Sequence, residues 1–119
     1  MAELVFVYGT LKKGFSNHRL LEKDKFMGEA ETIDQYAMYV QGIPYVNYDE
    51  TVSEITGELY QVSNLSLLMI DLLEGHPSWY YRKKIHIETD KGKLYKAWMY
   101  FNEQKTNNLI ESGTFEKTR

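Results

Sequence analysis

Cysteine is absent from the 119 residues, and proline occurs only twice. Without cysteine there are no disulfides, no thiolate zinc sites and no cysteine nucleophile. Neither sign of charge dominates: 14 basic residues stand against 17 acidic ones, a net charge of −3. Phosphate-backbone binding wants a basic face, so no nucleic-acid partner is expected. The short basic run Arg82-Lys83-Lys84 sits in a strand-like context and reads as a solvated strand edge, where lysines guard against edge pairing. Long hydrophobic runs are missing too. The N-terminal stretch Met1–Tyr8 has no basic flank, and its apolar part is too short for a signal peptide or a membrane span. The expectation is a cytoplasmic protein with no membrane partner.

Other site classes fail on spacing. His18, His76 and His86 stand singly, with no H-E-x-x-H pattern, so no metal is expected. Gly9 and Gly14 belong to neither a G-x-G-x-x-G nor a Gly-Lys-Ser/Thr motif, so no nucleotide cofactor is expected. Ser112-Gly113 lacks the context of a nucleophile elbow. There is no internal repeat, low-complexity segment or linker, and the length suits one domain spanning 1–119.

What is present is a globular composition, 43% hydrophobic and 26% charged. Tyrosine is frequent, with 10 copies against 5 Phe and 2 Trp. Tyrosine joins an apolar ring to a polar tip, which suits a β-rich core with wet edges or a polar ligand cleft. Composition does not choose between them.

Leu4–Tyr8 reads as a buried strand, stopped at Gly9 by loop chemistry that runs to Gly14. Ser16 or Asn17 is placed to cap a short helix through Leu20 and Leu21. Phe26–Val40 is extended, with imperfect alternation that predicts a bulge or bend. Gly42-Ile43-Pro44 is a turn, Tyr45–Tyr48 a further short strand, and Ile55–Val62 a strand with Gly57 inside it. The clearest helix starts at Ser63 or Asn64 as N-cap. Its Leu65, Leu68, Met69 and Leu72 form one apolar face, extended by Leu73 and widened by Ile70. Gly75 and Pro77 end it. Ile85–Thr89 and Leu94–Phe101 pair across an Asp90–Lys93 turn, and the residues from Asn102 form a surface-hugging tail. The sum is an α+β fold, a small mixed β-barrel of about six short strands with flanking helices.

Three clusters carry chemistry. Tyr8-Gly9-Thr10-Leu11 ends a strand in a turn, which leaves backbone N–H groups without ladder partners. Such a turn is either a plain junction or a cradle for a carboxylate or a developing oxyanion. Gly9 would let the backbone approach a ligand closely. In Leu72-Leu73-Glu74-Gly75-His76-Pro77 a carboxylate lies at a helix C-terminus, against the macrodipole. If buried, it has the raised pKa that a proton shuttle needs; if exposed, it is only a terminal glutamate. Trp79-Tyr80-Tyr81-Arg82 either walls a cleft or fills a barrel end.

Taken in order, these segments resemble the γ-glutamyl cyclotransferase-like proteins, in the branch of γ-glutamylamine cyclotransferase and the AIG2-like proteins. The resemblance is carried by Val7–Gly14, Asn17-His18, Leu20-Leu21, Phe26–Ala30, Gly57–Tyr60, Leu72–Pro77, Tyr80, Arg82, Ala97–Tyr100 and Ser112-Gly113. It implies a barrel with a cleft between the first strand–loop and the helix end. It also implies Glu74 as the catalytic acid–base group, and Tyr8, Gly9, Thr10, Leu11 and Tyr80 as substrate-binding residues. The implied partner is a small-molecule γ-glutamyl substrate, cyclised to 5-oxoproline with release of an amine. The segment Tyr39–Val46 lacks the family's usual glycine-rich surroundings. Ser78 and Tyr81 replace residues more often charged; all these departures are expected near the leaving group. Three other readings stand beside this one: removal of a γ-glutamyl protecting group in biosynthesis, a binding module without catalysis, and a structural α+β domain of a larger assembly. A monomer is the default for a small domain with no obvious apolar exterior face.

Overall fold

Five strands close into a barrel in the order β1-β5-β2-β6-β7. The computed structural model describes residues 2–116. The barrel strands are β1 (Ala2–Val7), β2 (Lys25–Thr32), β5 (Thr56–Ser63), β6 (Tyr81–Thr89) and β7 (Leu94–Phe101). Neighbours run antiparallel except at the closure, where β1 meets β7 in parallel with Val5 opposite Trp98. A second sheet of three strands lies beside the barrel in the order β4-β3-β8, with β3 at Ala37–Gln41, β4 at Ile43–Asn47 and β8 at Leu109–Ile110. The expected six strands thus become five in the barrel and three in a satellite. The expected flanking helices are one α-helix, α1 (Asn64–Glu74), and one 3₁₀ turn at His18–Leu21.

The irregular stretch from Phe26 is resolved into two strands in different sheets. β2 carries a bulge between Phe26 and Gly28, as its broken alternation predicts. Gly57 in β5 has a close-packing reason to lack a side chain: a Cβ there would stand 2.2 Å from the Val7 carbonyl oxygen. Pro44 is not part of a turn; it pairs with Val40 inside the β3–β4 hairpin, whose tight bend is made by Gly42 at φ 75°. The expected tail contributes β8, which adds to β3 through Met38 and Tyr39. The Arg82–Lys84 run lies in a strand of the closed barrel. Its register is with β7 alone, since β2 pairs only from Ile87 onward, and Lys83 and Lys84 are exposed there.

Phe6, Leu59, Ile87, Met99 and Phe101 fill the barrel interior. Val5, Val7, Tyr60, Val62 and Tyr100 point the other way and receive Leu21, Leu67 and Ile70. Helix α1 begins where the sequence indicates, with Ser63 Oγ accepting the Ser66 N–H at 3.0 Å. It ends at Gly75, whose φ of 66° is the left-handed C-cap conformation. The face it packs on the barrel is not the one the leucine spacing marks. Leu67 and Ile70 are buried, and Asp71 and Glu74 follow on the same stripe at i+4 and i+7 from Leu67. The expected apolar face of Leu65, Leu68, Met69, Leu72 and Leu73 is exposed. The helix turns its only two carboxylates toward the barrel and all its leucines but Leu67 outward.

Candidate active site

The sequence brings three segments to one cavity. The end of β1 runs into Tyr8–Leu11, the β4 start supplies Ile43 and Pro44, and the end of α1 with the following loop supplies Leu73, Glu74, Trp79 and Tyr80. Together with Asn17 and Tyr100 they line a cavity of about 220 Å³. Every residue named above as catalytic or substrate-binding lies on its wall: Glu74, Tyr8, Gly9, Thr10, Leu11 and Tyr80.

The Tyr8–Leu11 turn is held from several sides. The Tyr8 hydroxyl donates to the Tyr100 carbonyl oxygen at 2.8 Å, out of solvent. The Gly9 carbonyl accepts from the Lys12 N–H at 3.1 Å, and the Thr10 carbonyl from the Asn17 N–H at 2.9 Å. Asn17 Nδ2 donates to Thr10 Oγ1 at 2.9 Å, and His18 Nδ1 donates to the Leu11 carbonyl at 2.9 Å. The carbonyls of this turn are thereby engaged, while the N–H groups of Gly9, Thr10 and Leu11 have no acceptor among the described residues. Asn17 was expected as a helix cap, yet its side chain caps nothing; it braces the turn instead. Gly9 also has a packing reason to lack a side chain, beside the close ligand approach expected of it. A Cβ there would meet Pro44 Cγ at 2.9 Å, so its bareness admits a proline of the cavity wall.

Glu74 is the last helical residue and is half-buried. Burial pushes its carboxyl up to about 7. Three residues earlier, Asp71 takes the opposite course. Burial pushes its carboxyl up, but hydrogen bonds from Arg82 and Tyr100 and the Arg82 charge outweigh this and hold it below the usual range. Arg82 donates through Nε at 2.8 Å and Nη2 at 3.1 Å, while the Tyr100 hydroxyl donates at 2.5 Å. Two carboxylates on one stripe are thus driven apart, one fixed as an anion and one poised near neutrality.

The loop after the helix is tied back by backbone and side-chain bonds. The Tyr80 N–H donates to the Glu74 carbonyl at 3.1 Å, and Asn102 Nδ2 to the Trp79 carbonyl at 3.1 Å. The His76–Pro77 peptide is cis. The Tyr80 ring lies parallel to Tyr45, with centroids 5.9 Å apart, and its hydroxyl donates to the Pro44 carbonyl at 2.8 Å. Trp79 is half exposed beside it. Of the four aromatic and basic residues proposed as a cleft wall, Trp79 and Tyr80 line the cavity. Tyr81 and Arg82 do not; Tyr81 donates to Glu103 and Arg82 serves Asp71. Ser78 and Tyr81, expected beside the leaving group, are therefore off the wall, whereas Ile43 and Pro44 of the Tyr39–Val46 segment are on it. Asn17 and Tyr100 are cavity residues to which sequence reasoning gave no role in the site. Among the described residues no cluster of three or more potential metal ligands occurs, and no helix is long and apolar enough to cross a membrane.

Comparison with known proteins agrees with this geometry. Residues 5–117 match the family described as gamma-glutamyl cyclotransferase, AIG2-like. A Methanocaldococcus jannaschii protein, provisionally named a gamma-glutamylcyclotransferase, is 49% identical over 118 residues, covering 98% of both chains. A Danio rerio protein named gamma-glutamylaminecyclotransferase B is 32% identical over 126 residues, covering 95% of this chain and 66% of that one. The crystal structure of an AIG2-like protein from Mus musculus superposes with a TM-score of 0.86 at 24% identity, covering 97% of this chain and 88% of that one, so the fold is shared. The chain belongs to the AIG2-like family of gamma-glutamyl cyclotransferases.

Proposed function

We propose that this chain is a γ-glutamyl cyclotransferase that acts on γ-glutamyl amines or related γ-glutamyl compounds and releases 5-oxoproline and a free amine. The observation that carries this reading is Glu74: a carboxyl raised to about 7 on the wall of a cavity shared with the Tyr8–Leu11 turn. About 220 Å³ is below the roughly 300 Å³ at which sites for drug-sized ligands begin. It suits an amino-acid-sized group, with the remainder of the substrate passing out beside half-exposed Trp79 and Ile43.

The reaction needs no enzyme nucleophile. The substrate's α-amino nitrogen attacks its own γ-carbonyl carbon, a new C–N bond closes the five-membered ring, and the carbonyl oxygen becomes negative. When the carbonyl re-forms, the bond to the leaving nitrogen breaks. The attacking nitrogen starts as an ammonium and ends as a ring N–H, so it gives up two protons, one before attack and one after. The departing nitrogen takes one to leave as the amine and a second, from solvent, as it becomes an ammonium. Glu74 near neutrality serves at both nitrogens, as base when ionised and as acid once protonated. The unpaired N–H groups of Gly9, Thr10 and Leu11 suit the substrate's carboxylate or the developing oxyanion. Folding the substrate for attack supplies much of the rest, since well-oriented intramolecular reactions reach effective molarities of about 10⁵–10⁸ M.

The test is 5-oxoproline release, followed by mass spectrometry, from a mixed panel of γ-glutamyl amino acids and γ-glutamyl amines that includes the ε-lysine isopeptide. Wild type is run beside Glu74→Gln. Release by wild type, reduced about 10²–10⁴-fold in the variant, is the expected result. An equal rate in the variant would remove Glu74 from the mechanism, and no release from any member by a folded wild type would remove the cyclotransferase reading.

A further inference from the structure

Helix α1 leaves a face without a partner among the described residues. Leu65 is 68% exposed, Leu68 54%, Met69 44%, Leu72 69% and Leu73 43%. These are not scattered apolar residues of the kind any surface shows. They form one contiguous stripe at i, i+3, i+4, i+7 and i+8 of a single helix, opposite the stripe that packs on the barrel. Together they leave about 500 Å² of apolar surface, the size of patch that commonly has a function.

The chemistry of the face narrows its occupant. An interfacial membrane helix carries lysine and arginine on its polar side. Helix α1 has no basic residue, its polar side is Asp71 and Glu74, and the chain's net charge is −3. A partner chosen by opposite charge would need charge on the face itself, yet none of its five residues is charged; the Asp24 carboxylate stands only at the helix start, where it accepts the Ser63 N–H. That neutrality suits a second copy. A two-fold interface sets the same patch against itself, so a charge near the axis would repel its own image. Leucine and methionine at these spacings also intermesh when two such helices lie antiparallel. Complete burial of the patch in two copies would remove about 1,000 Å² from water, the lower bound of a specific interface.

We infer that the exposed leucine face of α1 is a homodimer interface in which the α1 helices of two copies pack against each other across a two-fold axis. Four of its members, Leu65, Leu68, Met69 and Leu72, lie outside the cavity wall and are free for testing. Sedimentation equilibrium of the full chain is expected to give twice the chain mass for wild type and the single-chain mass for Leu68→Lys/Leu72→Lys, with the same far-ultraviolet circular dichroism. Since the chain has no cysteine, a second measurement is direct. Under mild oxidation Leu68→Cys is expected to form a covalent dimer much faster than Lys91→Cys, a control on the exposed β6–β7 turn. A wild type that stays at the single-chain mass up to its solubility limit overturns the inference. So does a lysine variant that still dimerises, equal oxidation of the two cysteine variants, or a monomeric wild type that co-sediments with phosphatidylcholine vesicles.

Discussion

The Tyr100 hydroxyl donates to Asp71 Oδ1 at 2.5 Å, joining the barrel strand β7 to the last turn of α1 three residues before Glu74. Arg82 of β6 binds the same carboxylate with two nitrogens. One charged group therefore fixes the helix end against two strands, and through it the position of the candidate acid–base residue. Asp71 is a positioning residue in this arrangement. Replacing it by Asn keeps the shape, removes the charge that Arg82 needs and weakens both bonds. Asp71→Asn is expected to cost about 2 kcal/mol in urea denaturation at pH 7. It is also expected to lower kcat tenfold or more while the Glu74 inflection near neutral pH remains in the pH profile. The folded carboxyl titrates below its ordinary value of 3.8, so its contribution is complete above that pH and fades as pH falls through the depressed value. The variant should accordingly lose less stability than wild type on acidification from pH 5 to pH 2. Equal losses would mean that the pair adds nothing to the fold.

Glu74 has the reverse sign. It titrates near 7 in the fold, against 4.5 for an ordinary glutamate. The folded chain then holds the proton more tightly than the unfolded one. Stability is complete below 4.5, declines as pH rises toward 7 and levels off above it, with at most about 3 kcal/mol at stake. Glu74→Gln cannot ionise and escapes that loss. The variant should melt at a higher temperature than wild type at pH 8, with the difference shrinking toward pH 5. The same group sets activity in the other direction: kcat/KM of wild type is expected to rise as pH increases through about 7. A variant with the same melting difference at both pH values would show that Glu74 is not desolvated.

Gly9 makes a steric prediction that separates two roles for one residue. Its missing side chain accommodates Pro44 Cγ, 2.9 Å from where a Cβ would stand. Gly9→Ala is expected to destabilise by about 1–3 kcal/mol, as overpacking does, and to lower kcat/KM by shifting the turn. Pro44→Ala in the same chain should return part of that stability. If the double variant is as unstable as the sum of the two single ones, the strain lies elsewhere than between these residues.

Much of this site was legible because it rests on local signals. The Tyr8–Leu11 turn, the helix end at Glu74-Gly75 and the aromatic pair Trp79-Tyr80 each announce themselves by residue type and order, and they meet in one cavity. Long-range pairing was less legible. No local rule says that Pro44 sits in a strand against Val40, that Leu109 and Ile110 add to β3, or that Asn17 braces Thr10 rather than capping a helix. The helix face failed for a different physical reason. Periodicity identifies an apolar stripe but not what it packs on, and in α1 the leucine stripe faces out because Leu67, Ile70, Asp71 and Glu74 face in. Burial of a carboxylate works against hydrophobic sorting, so the functional stripe was hidden behind the more apolar one.

Tyr80 supplies the remaining test. Its hydroxyl is already committed, donating to the Pro44 carbonyl at 2.8 Å out of solvent, while its ring lies along Tyr45 and lines the cavity. Removing the hydroxyl leaves that buried carbonyl without its donor, which costs about 1–2 kcal/mol. The ring, and with it the wall, stays in place. Tyr80→Phe is therefore expected to lower stability by that amount and to leave KM for a γ-glutamyl substrate within a few-fold of wild type. Tyr80→Ala, which also removes the wall, should raise KM far more. Denaturation curves and steady-state kinetics on the two variants decide the matter. A Phe variant of unchanged stability with kcat reduced a hundredfold would place the hydroxyl on the reacting substrate. The hydrogen bond to Pro44 would then be a resting contact that substrate displaces.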